Sequence, residues 1–308
     1  MNSDVGFQDL IRRSREQSYK NFGCRINFYY TSRYFPAISI TGSACALNCK
    51  HCGRVLIERL TPAITPRDLV DACMKFYGQG SGGVLITGGC TSEGTVPLNN
   101  FLDAISEIKE KTKLILFAHT GIMDYAEAKS LREAGIDGVC VDIVGSEETT
   151  REIYGIELYP EDYRKTLKAF ERSGIKNISP HICVGLHYGK LKHELNALEI
   201  VSCIKPSNVV VIGLTNLKGT PMEHIKIKPE DVIRILCLAR LRFPGSYISL
   251  GCARGKGSVR ADIDKLAVHT GVNNIATPTP SAYREADKLD LEIREYRACC
   301  AVLPEQLE

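Results

Sequence analysis

The chain has 308 residues, 24% of them charged, with a formal net charge of +3. No block of lysine and arginine interleaved with aromatics marks a nucleic-acid surface, and no apolar run reaches the roughly 18 residues that span a bilayer. The N-terminal MNSDVGFQDLIRRSREQ lacks the apolar core of a signal peptide, so a cytoplasmic protein is expected. Its thirteen cysteines are an odd number, and in that compartment they are small core residues or metal ligands rather than a disulfide framework.

Short apolar, β-branched runs recur along the chain at 36–41, 83–88, 113–120, 138–144, 177–185, 208–214, 247–251 and 272–277. Amphipathic stretches such as TPRDLVDACMKFYG and PEDYRKTLKAFERSG lie between them. Thr65 before Pro66 reads as a helix start, and Gly135 and Gly174 read as helix exits. Continuous apolar strands alternating with helices predict a parallel sheet covered by helices. Eight such units predict an α/β chain closed as a (β/α)8 barrel, with a doubly wound open sheet as the alternative. The barrel is placed at 35–280, between an N-terminal extension (1–34) and a C-terminal tail (281–308).

Directly after the first predicted strand, ITGSACALNCKHC carries Cys45, Cys49 and Cys52 in a C-x3-C-x2-C spacing. Barrel enzymes place their chemistry at the C-terminal ends of the strands, so this loop belongs at the mouth. Structural zinc takes four ligands. Three thiolates instead suit a four-iron, four-sulfur cluster with one iron open to a small molecule. Spacing, position and barrel rhythm together resemble the radical S-adenosylmethionine (SAM) superfamily. The resemblance implies that Cys45, Cys49 and Cys52 hold a 4Fe-4S cluster whose open iron takes SAM. It also places His51 near the adenine, at a position where an aromatic is usual. Gly88 and Gly89 fall where the family cradles the SAM amino group, although Cys90 stands where an acid is usual. Asp142 matches a contact to the ribose, the segment around His181 backs the adenine, and His119 is a cofactor-side residue that can also meet substrate.

The segments GIKNISPHICVGL (174–186), LKGTPME (217–223) and YISLGCAR (247–254) narrow the resemblance to the biotin-synthase branch. That enzyme holds a two-iron cluster on inward cysteines and an arginine. The matching positions here are Ile86, Phe117 or Ala118, Ser179 and Ser249, which do not support one. Four other thiols, Cys90, Cys252, Cys299 and Cys300, are candidates for a second, auxiliary 4Fe-4S cluster, with Cys24 or Cys140 able to replace Cys90. Cys73, Cys183, Cys203 and Cys237 read as core, and His193, His224 and His269 as surface residues.

A biotin-synthase-like barrel with a second four-iron cluster resembles one component of the two-component lipoyl synthases. That resemblance implies sulfur insertion into an octanoyl or 8-mercaptooctanoyl chain on a protein lysine. Its partners would be a lipoyl carrier (the glycine cleavage H protein or an E2 lipoyl domain), the companion synthase component, and a ferredoxin or flavodoxin as electron donor. Arg254, Lys256 and Arg260 are candidates to steer an acidic carrier. The alternatives are another biotin-synthase-like reaction (a carbon-skeleton rearrangement or a dethiobiotin-type sulfur insertion) and a non-catalytic iron–sulfur or zinc protein.

Overall fold

The computed structural model describes residues 2–307. Eleven strands form one sheet: β1 (Arg25–Tyr29), β2 (Ala37–Ser39), β3 (Thr61–Pro62), β4 (Gly83–Thr87), β5 (Ile115–His119), β6 (Gly138–Asp142), β7 (Asn177–Val184), β8 (Asn208–Gly213), β9 (Tyr247–Arg254), β10 (Asn274–Ala276) and β11 (Glu292–Tyr296). The order is β11-β1-β10-β9-β8-β7-β6-β5-β4-β2-β3, and the paired strands run parallel. All eight expected strands are present. The helices are α1 (Asn2–Phe22), α2 (Pro66–Gly78), α3 (Leu102–Lys111), α4 (Tyr125–Glu133), α5 (Glu147–Thr149), α6 (Pro160–Ser173), α7 (Glu194–Val201), α8 (Pro229–Arg242), α9 (Gly257–Val268) and α10 (Pro280–Lys288).

The local signals act as their chemistry requires. The Thr65 hydroxyl accepts from Asp68 N, and the Asp68 carboxylate accepts from Thr65 N, closing a capping box at the start of α2. Gly174 ends α6 at φ 82°, a left-handed conformation that a Cβ resists.

Side chains alternate across each strand. One face, with Val84, Ile86, Leu116, Ala118, Val139, Val141, Val209 and Val211, packs under the helices in the main apolar core. The other face gathers Tyr29 of β1, Phe117 of β5, Cys140 of β6, Val210 of β8 and Ala276 of β10 into a second cluster. Residues from strands that far apart in the order meet only because the sheet curls into a barrel. The sheet has no ladder joining β11 to β3 among the described residues, so the barrel is open there rather than closed as expected.

The flanks are integral to it. β1 pairs with both β10 and β11, so the segment expected as an N-terminal extension supplies a strand of the wall. The tail supplies β11, and its Ala298–Val302 stretch then enters the barrel and packs in the inner cluster. Asn208 and Asn177, the first residues of β8 and β7, bind tail carbonyls. The tail therefore plugs the end of the barrel opposite the mouth.

Candidate active site

Beyond β2 the chain wraps over the mouth and carries Cys45, Cys49 and Cys52. The C-x2-C turn is fixed by Cys52 N and Gly53 N, which donate to Cys49 O at 3.0 and 2.8 Å. In the loop just beyond β4, Cys90 O accepts from Ala46 N (2.8 Å) and Cys90 N donates to the Cys45 sulfur (3.3 Å). Thr41 ties the two segments, accepting from Gly89 N at 2.7 Å and donating to Ala44 O at 2.8 Å. Gly89 has a steric reason to be glycine. A Cβ there would lie 2.0 Å from Ala44 O and 2.6 Å from Cys45 Cα. A Cβ at Gly88 would sit 3.1 Å from the Thr41 methyl, which is tight but less severe.

These thiols line a cavity of about 590 Å³ inside the barrel mouth. Burial first, then the neighbouring Cys52, Cys45 and Cys90, push the Cys49 thiol up to about 12. Burial, Cys45, Asp142 and Cys52 do the same to Cys90, also to about 12. Crowded, buried thiols resist ionising together until a cation compensates them, which is the chemistry of a metal-cluster donor set. Beside them the His51 ring lies edge-on to Tyr154 at 5.2 Å, and its Nδ1 is buried with no hydrogen-bond partner. Burial holds that imidazole neutral, lowered to about 4. An orphaned polar atom on the cavity wall fits a bound polar group. The donors present therefore fit a cluster with a polar organic ligand.

At the strand ends, Asp142 faces the His119 ring, with Oδ1 3.7 Å from Nε2. Burial opposes the Asp142 charge, but His119, and then His181 and His51, outweigh it and lower the carboxyl to about 2. His119 is raised for the reciprocal reason, burial opposing its charge and Asp142 prevailing. His181 is lowered to about 4 by burial and by His119, and its Nδ1–H donates to Ser179 O at 2.9 Å, leaving Nε2 as an acceptor. The structure thus brings His51, Gly88, Gly89, His119, Asp142 and His181 to one cavity.

The far wall regroups the remaining thiols. Cys140 of β6, Cys252 of β9, and Cys299 and Cys300 of the tail all line the cavity. They sense one another electrostatically: Cys300 is raised by Cys299, burial, Cys252 and Cys140, and Cys140 by burial, Cys299 and Asp142. Cys299 is the thiol of its pair held low, by the Cys300 S–H, then against burial by Ala301 N–H and the neighbouring His119. Cys90 lines the same cavity on the mouth side, where its N–H donates to the Cys45 sulfur, and Cys140 shares the inner cluster with Cys299 and Cys300. Cys24 is exposed just before β1, where its carbonyl accepts from Glu292 N, and it does not line the cavity. Among the described residues, no three His, Cys, Asp or Glu side chains close on a point that would hold a single ion. The eight thiols instead border a volume.

Several expectations are corrected. His193 is fully buried, its ring between Gly145 N and Cys183 O, where the sequence suggested a surface residue. His269 is half-buried against Glu285, whereas His224 is exposed as expected. Arg254 is also withdrawn from solvent, bound to Asp264, so it cannot steer a partner; Lys256 stays exposed. Ile86 and Ala118, matched to two-iron ligands, face the helices, and the inward residues of β4 are Leu85 and Thr87. Tyr154 and Tyr163 line the cavity unforeseen, since nothing in their local sequence separates them from core tyrosines.

A parallel barrel with a three-thiol loop beyond its first mouth strand and a largely apolar cavity behind it, bearing a few polar side chains, defines a cluster-dependent enzyme class. The Radical SAM superfamily model matches residues 39–198, just over half the chain, and the chain belongs to that superfamily. Membership implies a 4Fe-4S cluster and SAM, for which Cys45, Cys49 and Cys52 are the fitting donors. The Biotin and Thiamin Synthesis associated domain matches residues 195–293. The chain is 27% identical to a biotin synthase of Rickettsia felis over 77% of each chain, and 24% identical to one of Anaplasma marginale over 98% of this chain and 94% of that one. It thus lies in the biotin-synthase-like branch. In fold it is similar to methylornithine synthase (TM-score 0.66, 18% identity, 94% and 89% covered) and to the [FeFe]-hydrogenase maturase HydG (TM-score 0.67, 13% identity, 93% and 68% covered). Among the described residues no helix is long and apolar enough to cross a membrane.

Proposed function

We propose that this enzyme inserts sulfur at an unactivated carbon of a fatty-acyl chain. The observation that carries the proposal is the placement of two thiol sets on one cavity, Cys45, Cys49 and Cys52 at the mouth and Cys140, Cys252, Cys299 and Cys300 opposite. Cys45, Cys49 and Cys52 would hold a 4Fe-4S cluster, which with SAM would supply one-electron chemistry strong enough to break such a C–H bond. In this reading, the second set holds a four-iron cluster that is itself a substrate, consumed as sulfur donor.

The chain's own residues prepare that chemistry. Cys90 N–H donates to the Cys45 sulfur, and Thr41 fixes the loop against Gly89. Asp142, kept ionised by His119, offers an acceptor for sugar hydroxyls, and the buried neutral His51 lies against Tyr154. Leu47, Leu56, Ile57, Val96, Ile156 and Leu158 give the cavity an apolar wall that suits an acyl chain and excludes water. In the lipoyl-synthase reading, the octanoyl or 8-mercaptooctanoyl chain rides on a lysine of a lipoyl carrier protein. A companion component and a ferredoxin or flavodoxin complete that reading.

The biotin synthase names among the relatives favour a second reading, sulfur insertion into a dethiobiotin-type precursor. One experiment separates the two. The anaerobically reconstituted protein is given SAM, reductant and either octanoyl- and mercaptooctanoyl-lysine peptides or dethiobiotin, and products are read by mass spectrometry. Thiolated peptide supports the first reading, and biotin the second. About four irons per chain, rather than about eight, would remove the sulfur donor and leave a carbon-skeleton rearrangement.

A further inference from the structure

The inner end of the barrel carries a polar ring that an apolar core does not need. Asn27, Asn177, Asn208, Asn274, Ser179 and Ser249 are buried there, on five different strands. They bind in sequence: Asn27 Nδ2 donates to Asn274 Oδ1 (2.8 Å), and Asn274 Nδ2 to Ser249 Oγ (2.9 Å). Ser249 Oγ in turn reaches Asn208 Oδ1 (2.8 Å), and Ser179 Oγ reaches Asn177 Oδ1 (2.9 Å). The donors left over go to the tail. Asn208 Nδ2 donates to Cys300 O (3.0 Å), Asn177 Nδ2 to Ala301 O (2.9 Å), and Tyr29 OH to Val302 O (2.9 Å). Ser249 Oγ also reaches Cys300 O (3.2 Å) and Ser179 Oγ reaches Ala301 O (3.5 Å), so three successive carbonyls are held from four strands.

We propose that this ring is a positioning device that fixes Cys299 and Cys300 in register with Cys140 and Cys252. The thiol pair sits in a segment that, among the described residues, has no ladder of its own after Tyr296. Its backbone is fixed from the barrel side chiefly by those side-chain donors. A buried carbonyl that loses its donor is costly, so each bond favours the docked tail over a withdrawn one. Asn177 also donates to Gln306 Oε1, and that oxygen accepts from Leu303 N, which anchors the segment beyond the cysteines. The role depends on where the thiols stand, not on which substrate receives sulfur.

The test uses full-length, cluster-free protein. Iodoacetamide labelling of Cys299 and Cys300 is followed by mass spectrometry in wild type, Asn208→Ala, Asn177→Ala and Tyr29→Phe, with the core thiol Cys237 as internal control. Loss of one tail bond is expected to speed labelling of the pair by about tenfold, equivalent to about 1.4 kcal/mol of docking free energy, while Cys237 is unchanged. Tyr29→Phe removes one hydroxyl and leaves the packing, so it keeps the test valid if an asparagine variant fails to fold. After reconstitution, the variants should keep the spectrum of the SAM-binding cluster and lose iron only from the second set. Unchanged labelling of the pair in every folded variant overturns the proposal. So does a parallel rise at Cys237, which would mean general loosening. If wild type binds only one cluster, the labelling result still decides the positioning role, and only the sulfur-donor reading falls.

Discussion

Arg254 and Asp264 form an ion pair with no solvent exposure on either side chain, Nε to Oδ1 at 2.5 Å and Nη2 to Oδ2 at 3.1 Å. Arg254 Nη1 also donates to Gly251 O at 2.6 Å, and Arg260 donates to Cys252 O at 2.9 Å. The pair therefore fixes the strand end that presents Cys252 to the cavity. Removing one partner leaves the other buried and uncompensated. Asp264→Ala is expected to cost about 3–5 kcal/mol, read as a lower midpoint in urea unfolding of the cluster-free protein. A loss below about 1 kcal/mol, the range of exposed pairs, would show that water reaches the guanidinium.

Glycine at 89 is required by the approach of the Cys45 loop. Gly89→Ala places a methyl 2.0 Å from Ala44 O, which is backbone and cannot rotate aside. The two segments must part, breaking the Cys90 N to Cys45 sulfur bond. The expected result is a stability loss of about 1–3 kcal/mol from overpacking, and loss of the SAM-binding cluster on reconstitution, seen in iron content and in the reduced electron paramagnetic resonance spectrum. Gly88→Ala, with 3.1 Å to a methyl that can shift, should retain most of its iron. Equal behaviour of the two variants would contradict a steric role specific to Gly89.

At the α6 exit, Gly174 is held by backbone conformation rather than by crowding. Its φ of 82° disfavours any Cβ, while the nearest atom to a methyl at that position, Arg132 Nε, is an ordinary 3.6 Å away. Gly174→Ala should therefore cost about 1 kcal/mol through backbone conformation alone, measured as a shift in the unfolding midpoint with cluster content intact.

The strands and the mouth loop are legible in the sequence because their signals are local. A run such as NVVVIGL has one use in a barrel, and C-x3-C-x2-C writes its ligands within one loop. β1 and β11 escape a sequence reading because RINFY and EIREY become strands only by pairing with each other and, for β1, with β10, across most of the chain. Arg254 and His193 are misplaced for a related reason. A charged or polar residue reads as exposed until its partner, Asp264 or the Cys183 carbonyl, is brought to it by folding. The alternation that sets Cys140 on the same face as Asp142 is visible, yet its partners come from β9 and the tail.

That regrouping gives the sharpest expectation for the two clusters. Cys90 donates its N–H to Cys45 and shares the mouth wall, whereas Cys140 faces Cys299 and Cys300. Cys140→Ser should drop the reconstituted chain from about eight irons to about four, with the SAM-binding cluster still reducible. Cys90→Ser keeps the backbone N–H and should leave the iron count near wild type. A Cys45/Cys49/Cys52→Ala triple variant should retain about four irons in the second set. Mössbauer spectra of the three proteins read these counts separately for each cluster. If Cys90→Ser loses the second set and Cys140→Ser does not, the auxiliary ligands are grouped around the mouth strand, and the tail thiols serve another purpose.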